Sequence, residues 1–201
     1  MSDMYSVLWC ESPDHADFVS VMPPDEDLYP QNFHAGHLFQ PLDKVEWEDE
    51  SLPKELPIQL ELDPYYEGVF FELDFEPIPL MTRRLYAALI DAGVTNLQVF
   101  ETVIYDPFGK KDNTDYLAWN LVGPVSALDI SKSEFDTDVP ERMISMDISH
   151  MVIDEEKAKG HLMFRLAEST NTILVHRKVR RAIEKAGIDT LVFIPADMWA
   201  S

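Results

Sequence analysis

The sequence predicts an α+β protein: pseudo-duplicated strand–helix–strand units, a mixed or antiparallel sheet and an acidic, Pro-rich N-terminal layer. Three observations predict it. A twelve-residue stretch recurs after 94 residues without a gap. Each copy passes from helical to strand patterning. Proline and acid crowd into the segment ahead of the first copy.

Tyr5–Cys10 and Phe18–Met22 are short apolar runs bounded by turn-formers, and both read as strands. Residues 23–64 differ. Pro23, Pro24, Pro30, Pro41, Pro53, Pro57 and Pro64 break regular structure, while Tyr29, Phe33, Leu38, Phe39 and Trp47 offer apolar anchors. An ordered loop laid on a core is expected, since a disordered linker would lack the anchors.

The repeat follows. Arg83-Arg84-Leu85-Tyr86-Ala87-Ala88-Leu89-Ile90-Asp91-Ala92-Gly93-Val94 aligns on Arg177-Lys178-Val179-Arg180-Arg181-Ala182-Ile183-Glu184-Lys185-Ala186-Gly187-Ile188. Leu85, Ala88, Leu89 and Ala92 fall at helical spacing, as do Val179, Ala182, Ile183 and Ala186, so both stripes read as core. Gly93 and Gly187 suit the left-handed residue that closes a helix. An apolar strand precedes each helix, Val69–Phe75 and Leu162–Leu166, and another follows, Leu97–Ile104 and Thr190–Ile194. Two such units, 69–104 and 162–194, suggest a duplicated α+β scaffold; a solenoid needs about three repeats or more. Between them Tyr116–Val122 and Arg142–Ile148 read as strands, and Asp154–Lys159 as a short helix capped by Asp154 and stopped by Gly160. The expected division is 1–64 as the acidic layer and 65–201 as the scaffold, joined in one compact unit.

The charge follows the same division. The first 79 residues hold nineteen Asp and Glu against Lys44 and Lys54, about −17 of the chain's −21. With 46% apolar residues the chain can still bury a core. A pI near 4.4 opposes direct nucleic-acid binding, which wants a basic stripe. No apolar run approaches the ~18 residues of a membrane span, and no basic leader opens the chain, so a cytoplasmic protein is expected. Cys10 is the single cysteine and sits in an apolar run beside Glu11 and Asp14, so it reads as a small buried hydrophobe with an inert thiol.

His34 and His37 have H-x-x-H spacing, with His15 and Glu46 elsewhere, but zinc wants three or four ligands. Asp112-Asn113-Thr114-Asp115 lacks the central Gly and ordered acids of a calcium loop. Among 37 acids some carboxylate pair is certain, so a glycosidase-like pair carries no specificity. No phosphate loop, nucleophile elbow or H-E-x-x-H occurs. No enzyme, cofactor or metal is therefore expected. The basic residues Arg177, Lys178, Arg180, Arg181 and Lys185 read as partners for the chain's own acidic segment, or as a phosphate patch. Trp47 lies inside the run Glu46–Glu50. An aromatic flanked by acids can anchor a basic partner, the ring supplying area and the acids steering approach. Asp25, Glu26, Asp27, Glu46, Trp47, Glu48, Asp49 and Glu50 are accordingly the candidate binding surface.

Tyr116-Leu117-Ala118-Trp119-Asn120-Leu121-Val122-Gly123, followed by Ala127-Leu128-Asp129-Ile130-Ser131-Lys132-Ser133-Glu134-Phe135, resembles the centre of a bacterial family of immunity proteins found beside polymorphic toxins. Leu162–Leu166, Ile173–Val175 and the helix to Gly187 with the strand ending at Phe193 extend the resemblance over about 65–195. It implies a cytoplasmic inhibitor that neutralises a cognate toxin, and it supplies no catalytic residues. The acid suits a toxin with a basic surface, such as a nuclease. Two other functions stay open at this point: a small acidic-site hydrolase or metal-dependent enzyme, and a general nucleic-acid mimic.

Overall fold

The computed structural model describes residues 4–10, 21–22, 33, 36–40, 44, 53, 56–63, 68–107, 111–135 and 148–199. Among these, strands dominate and three α-helices interrupt them, so the chain is α+β. In order, the first elements are β1 (Tyr5–Cys10), β2 (Val21–Met22), β3 (Ile58–Leu62), β4 (Leu73–Asp74), β5 (Leu80–Thr82), α1 (Arg83–Ala92), β6 (Leu97–Tyr105) and β7 (Tyr116–Leu121). Then come β8 (Glu134–Phe135), β9 (Ile148–His150), α2 (Glu155–Ala158), β10 (Met163–Leu166), β11 (Ser169–His176), α3 (Arg177–Lys185) and β12 (Leu191–Pro195).

Local chemistry sets the helix ends. The Thr82 hydroxyl accepts the Leu85 N–H at 3.1 Å and opens α1. Gly93, at φ 94°, closes it with an N–H donated to the Ile90 carbonyl at 2.8 Å. A side chain there would be forced into the left-handed region. The second copy uses a different cap: His176 Nδ1 accepts the Lys178 N–H at 3.1 Å. Burial and then the charges of Arg177 and Lys178 push the His176 pKa down, which keeps the imidazole neutral and able to accept. Asp154 caps α2 through the Glu156 and Lys157 N–H groups, and Gly160 follows with φ 89°.

The strands form a four-stranded sheet, β10-β11-β1-β12, a six-stranded sheet, β2-β3-β6-β7-β5-β4, and a β8-β9 pair. Four strands of each large sheet share one pattern of antiparallel pairing. In the first, Leu174 faces Val7, and Val7 faces Ile194. In the second, Leu80 faces Ala118, and Ala118 faces Phe100. The pairs Leu80/Leu174 and Phe100/Ile194 each stand 94 residues apart, the offset of the sequence repeat. One of the two inner strands does not come from the repeated segment in either case. It is β7 in one sheet and β1, the N-terminal strand, in the other.

Three apolar clusters hold these layers. The central cluster contains Leu85, Leu89 and Val94 of the first copy and Val179, Ile183 and Ile188 of the second, with Leu8, Trp119, Leu73 and Met163 from the two sheets. The second cluster backs the four-stranded sheet and joins Val7, Phe164 and Leu174 to Ala127, Leu128, Met151 and Ala158. The third backs the six-stranded sheet, where Phe33 and Phe39 pack on Phe100 with ring centroids 5.8 and 5.7 Å away.

The details differ from expectation in several places. The strand that feeds each helix is β5 or β11, so each unit begins with two strands; the stretches 69–75 and 162–166 hold only the outer ones, β4 and β10. Periodicity within three residues of β5 is too short to announce a strand. Ala186 is exposed at the end of α3, because the helix stops before the stripe is complete. Leu38 is 49% exposed, whereas its neighbour Phe39 is buried, as alternate residues of extended chain face opposite ways. Of the strand expected over 142–148, only Ile148 lies within the described residues, where it opens β9. Phe18 and Tyr29 lie outside them.

Thr82→Ala removes the cap of α1 and the hydroxyl that donates to Glu72. The expected loss is about 1 kcal/mol, read as a lower urea midpoint with an unchanged slope.

Candidate partner-binding surface

Asp25, Glu26, Asp27, Glu46, Trp47, Glu48, Asp49, Glu50, His15 and His34 lie outside the described residues. His37 is exposed, and its carbonyl accepts a hydrogen bond from the Asn120 side chain. Among the described residues no three His, Cys, Asp or Glu side chains group as a metal site would require. No described helix is long and apolar enough to cross a membrane.

Residues 36–40 are tied down by side chains that reach to their backbone. The Gln98 amide bonds both the N–H and the carbonyl of Phe39 at 3.0 Å, in the manner of a strand partner. Gly36, at φ 73°, packs so closely that a Cβ would stand 3.1 Å from the Leu121 carbonyl and 3.3 Å from Arg165 Cδ. Arg165 is 1% exposed and donates to the carbonyls of Thr170 at 2.8 Å and Phe33 at 3.2 Å. Burial pulls its pKa down to about 10, which still leaves it charged at neutral pH. Its guanidinium is a tether between the four-stranded sheet and the N-terminal segment.

The motif Asp129-Ile130-Ser131-Lys132-Ser133 is a turn held from within. The Asp129 carboxylate accepts from Lys132 Nζ at 2.6 Å and Ser131 Oγ at 2.7 Å. These two contacts, Lys132 first, hold its pKa below the usual range. Ser133 Oγ donates to the Asp129 carbonyl at 2.8 Å and accepts the Val152 N–H at 3.0 Å. These bonds fix the loop from within. Asp112–Asp115 is likewise a turn, with Asn113 Oδ1 accepting the Asp115 N–H at 2.9 Å.

Cys10 is 9% exposed, and its thiol faces the Thr190 carbonyl at 3.7 Å. Burial, then the charge of Asp74, pushes its pKa up to about 12. A cavity of about 300 Å³ is lined by Tyr5, His150, Met151, Val152, Ile153, Ala196 and Asp197. His150 Nδ1 there lies 3.1 Å from the Asp197 carbonyl, and Asp197 is the one carboxylate lining the space among the described residues.

Charge is sorted by surface. The five bases of α3 are all exposed; Arg180 pairs with Glu184 at 2.7 Å and lies over the Phe193 ring at 5.3 Å. Arg177, Lys178, Arg181 and Lys185 have no ion-pair partner among the described residues. Around α1 the bases are neutralised, Arg83 by Glu101 and Arg84 by Glu72. Four residues further along β6 from Glu101, the pairing of β2, β3 and β6 sets Met22, Glu61 and Tyr105 in one row. Three residues from three distant segments share no local signal, so that row is not legible in the sequence.

Residues 29–198 match the immunity protein family (Imm11). No curated protein matches the chain. The match takes in β3–β12 and exceeds the 65–195 of the sequence resemblance; Glu46–Glu50 fall inside it and Asp25–Asp27 ahead of it. The chain belongs to the Imm11 immunity protein family.

Ser133→Ala strands the Val152 N–H and is expected to cost about 1–2 kcal/mol in chemical denaturation while leaving partner binding unchanged. Cys10 is expected to resist a thiol reagent in the native protein at pH 8 and to react fully in denaturant. Fast native labelling would contradict its burial.

Proposed function

We propose that this chain neutralises a cognate bacterial toxin in the cytoplasm by binding it and covering its working surface, with no chemistry on a substrate. Membership of the immunity family over residues 29–198 carries the reading. Charge supplies the partner's character. A chain with −21 net charge, most of it within the first 79 residues, is attracted to a basic protein and repelled by nucleic acid. A toxin that handles nucleic acid needs a basic cleft, and an acidic inhibitor can occupy the same cleft. The inhibition is steric and electrostatic.

The acidic run Glu46–Glu50, with Trp47 inside it, belongs to this proposal as a contact region, on the argument that a buried aromatic supplies affinity and surrounding acids speed encounter. The scaffold from about residue 65 onward serves to hold the contact surface.

Co-expression with the toxin encoded beside the chain is expected to restore growth, and the two proteins to co-purify. The association rate is expected to fall by about tenfold or more between ~50 and ~500 mM salt. Failure to rescue growth together with failure to co-purify would end the reading.

A further inference from the structure

The six-stranded sheet is longer than its counterpart. β4-β5-β7-β6 matches β10-β11-β1-β12 strand for strand, and the smaller sheet ends there. The larger one continues past β6 into β3 and β2. Its two faces then part company. On one side Val21, Leu60 and Ile104 are buried with Phe33 and Phe39. On the other side Leu97 and Val99 pack against the central core, but the same face of β6 continues through Glu101, Val103 and Tyr105. The Arg83–Glu101 ion pair marks the edge of α1.

What lies beyond that edge is a sheet face with large apolar side chains in the open. Met22 is 47% exposed and Tyr105 51%. Glu61 stands between them, paired with Met22 on one side and Tyr105 on the other. A sheet face left to water ordinarily carries polar residues. A methionine and a tyrosine around a carboxylate instead make adaptable apolar area with a charge at its centre, a composition found in protein interfaces.

We propose that this face of β2, β3 and β6 is a docking surface for the cognate toxin, taken by a toxin patch with apolar residues and Lys or Arg able to meet Glu61. The inference rests on the immunity reading and names a surface for it. Charge complementarity selects the occupant. Asp112, exposed, precedes the Asn113 that bridges antiparallel to Ile104, and so adds an acid on the Tyr105 side of that bridge, with the exposed Lys111 next along the chain. The nearby base Arg83 is already engaged by Glu101. The basic face of α3 would repel the same partner. The toxin's tyrosine pocket and lysine or arginine rim would bury Tyr105 centrally, where truncation is most costly.

The test uses the full chain and the purified toxin domain encoded beside it, with titration calorimetry for affinity and thermal unfolding as the fold control. Tyr105→Ala and Glu61→Lys are each expected to weaken binding about tenfold or more without lowering the unfolding temperature. Arg181→Glu on α3 is expected to bind as tightly as the wild type or more so. Should Tyr105→Ala fail to fold, Glu61→Lys decides, since it exchanges one polar surface residue for another. Wild-type affinity in the folded variants, with neutralisation intact, overturns the surface and leaves the immunity reading standing. No binding by the wild type overturns both.

Discussion

The packing of α1 on α3 in the central cluster is the contact on which the fold depends. Each helix offers only a narrow apolar stripe, with Leu85 and Leu89 on one and Val179 and Ile183 on the other, all fully buried. A helix of nine or ten residues is too short to be stable alone. Neither four-strand unit could cover its helix from both sides. Placed together, the two helices cover each other and carry the inner faces of both sheets with them. The same arrangement explains why β1 belongs in the middle of the four-stranded sheet: its Leu8 takes the place that Trp119 holds in the other sheet.

Outside that core, stability comes from tethers between distant segments. Arg165 reaches from β10 to the Phe33 carbonyl, Gln98 from β6 to both backbone groups of Phe39, and Tyr5 from β1 to the Ala158 carbonyl at 2.7 Å. Tyr116 makes the matching bond from β7 to the Phe71 carbonyl. Each ends on a backbone group and so fixes where a loop must lie, although Arg165 Nε is buried without a partner among the described residues. A surface held in place in this way loses less entropy when it binds a partner. The tethers all lie within the stretch that matches the immunity family or join it to the N-terminal strand.

Much of this was legible in residues 83–94 and 177–188. Helical spacing, closing glycines and following strands are local signals, and the helices formed where those signals placed them. β5 was not legible, because three residues carry no period. Leu38 is no anchor, since burial alternates along extended chain and the phase is set by the partner segment. The family motif at 129–134 was legible as a resemblance, yet its role as a self-bonded turn appears only with Val152 beside it.

The sequence by itself determined the α+β class, both main helices, the inert position of Cys10 and the lopsided acid, since each depends on composition or on spacing within a few residues. Only the tertiary structure decided that an N-terminal strand completes the second sheet, that a buried arginine anchors the loop at Phe33, and that Met22, Glu61 and Tyr105 share a face. Those facts are pairings across 39 and 44 residues of chain or more. Register between distant strands follows from how whole faces are buried, which no single segment encodes.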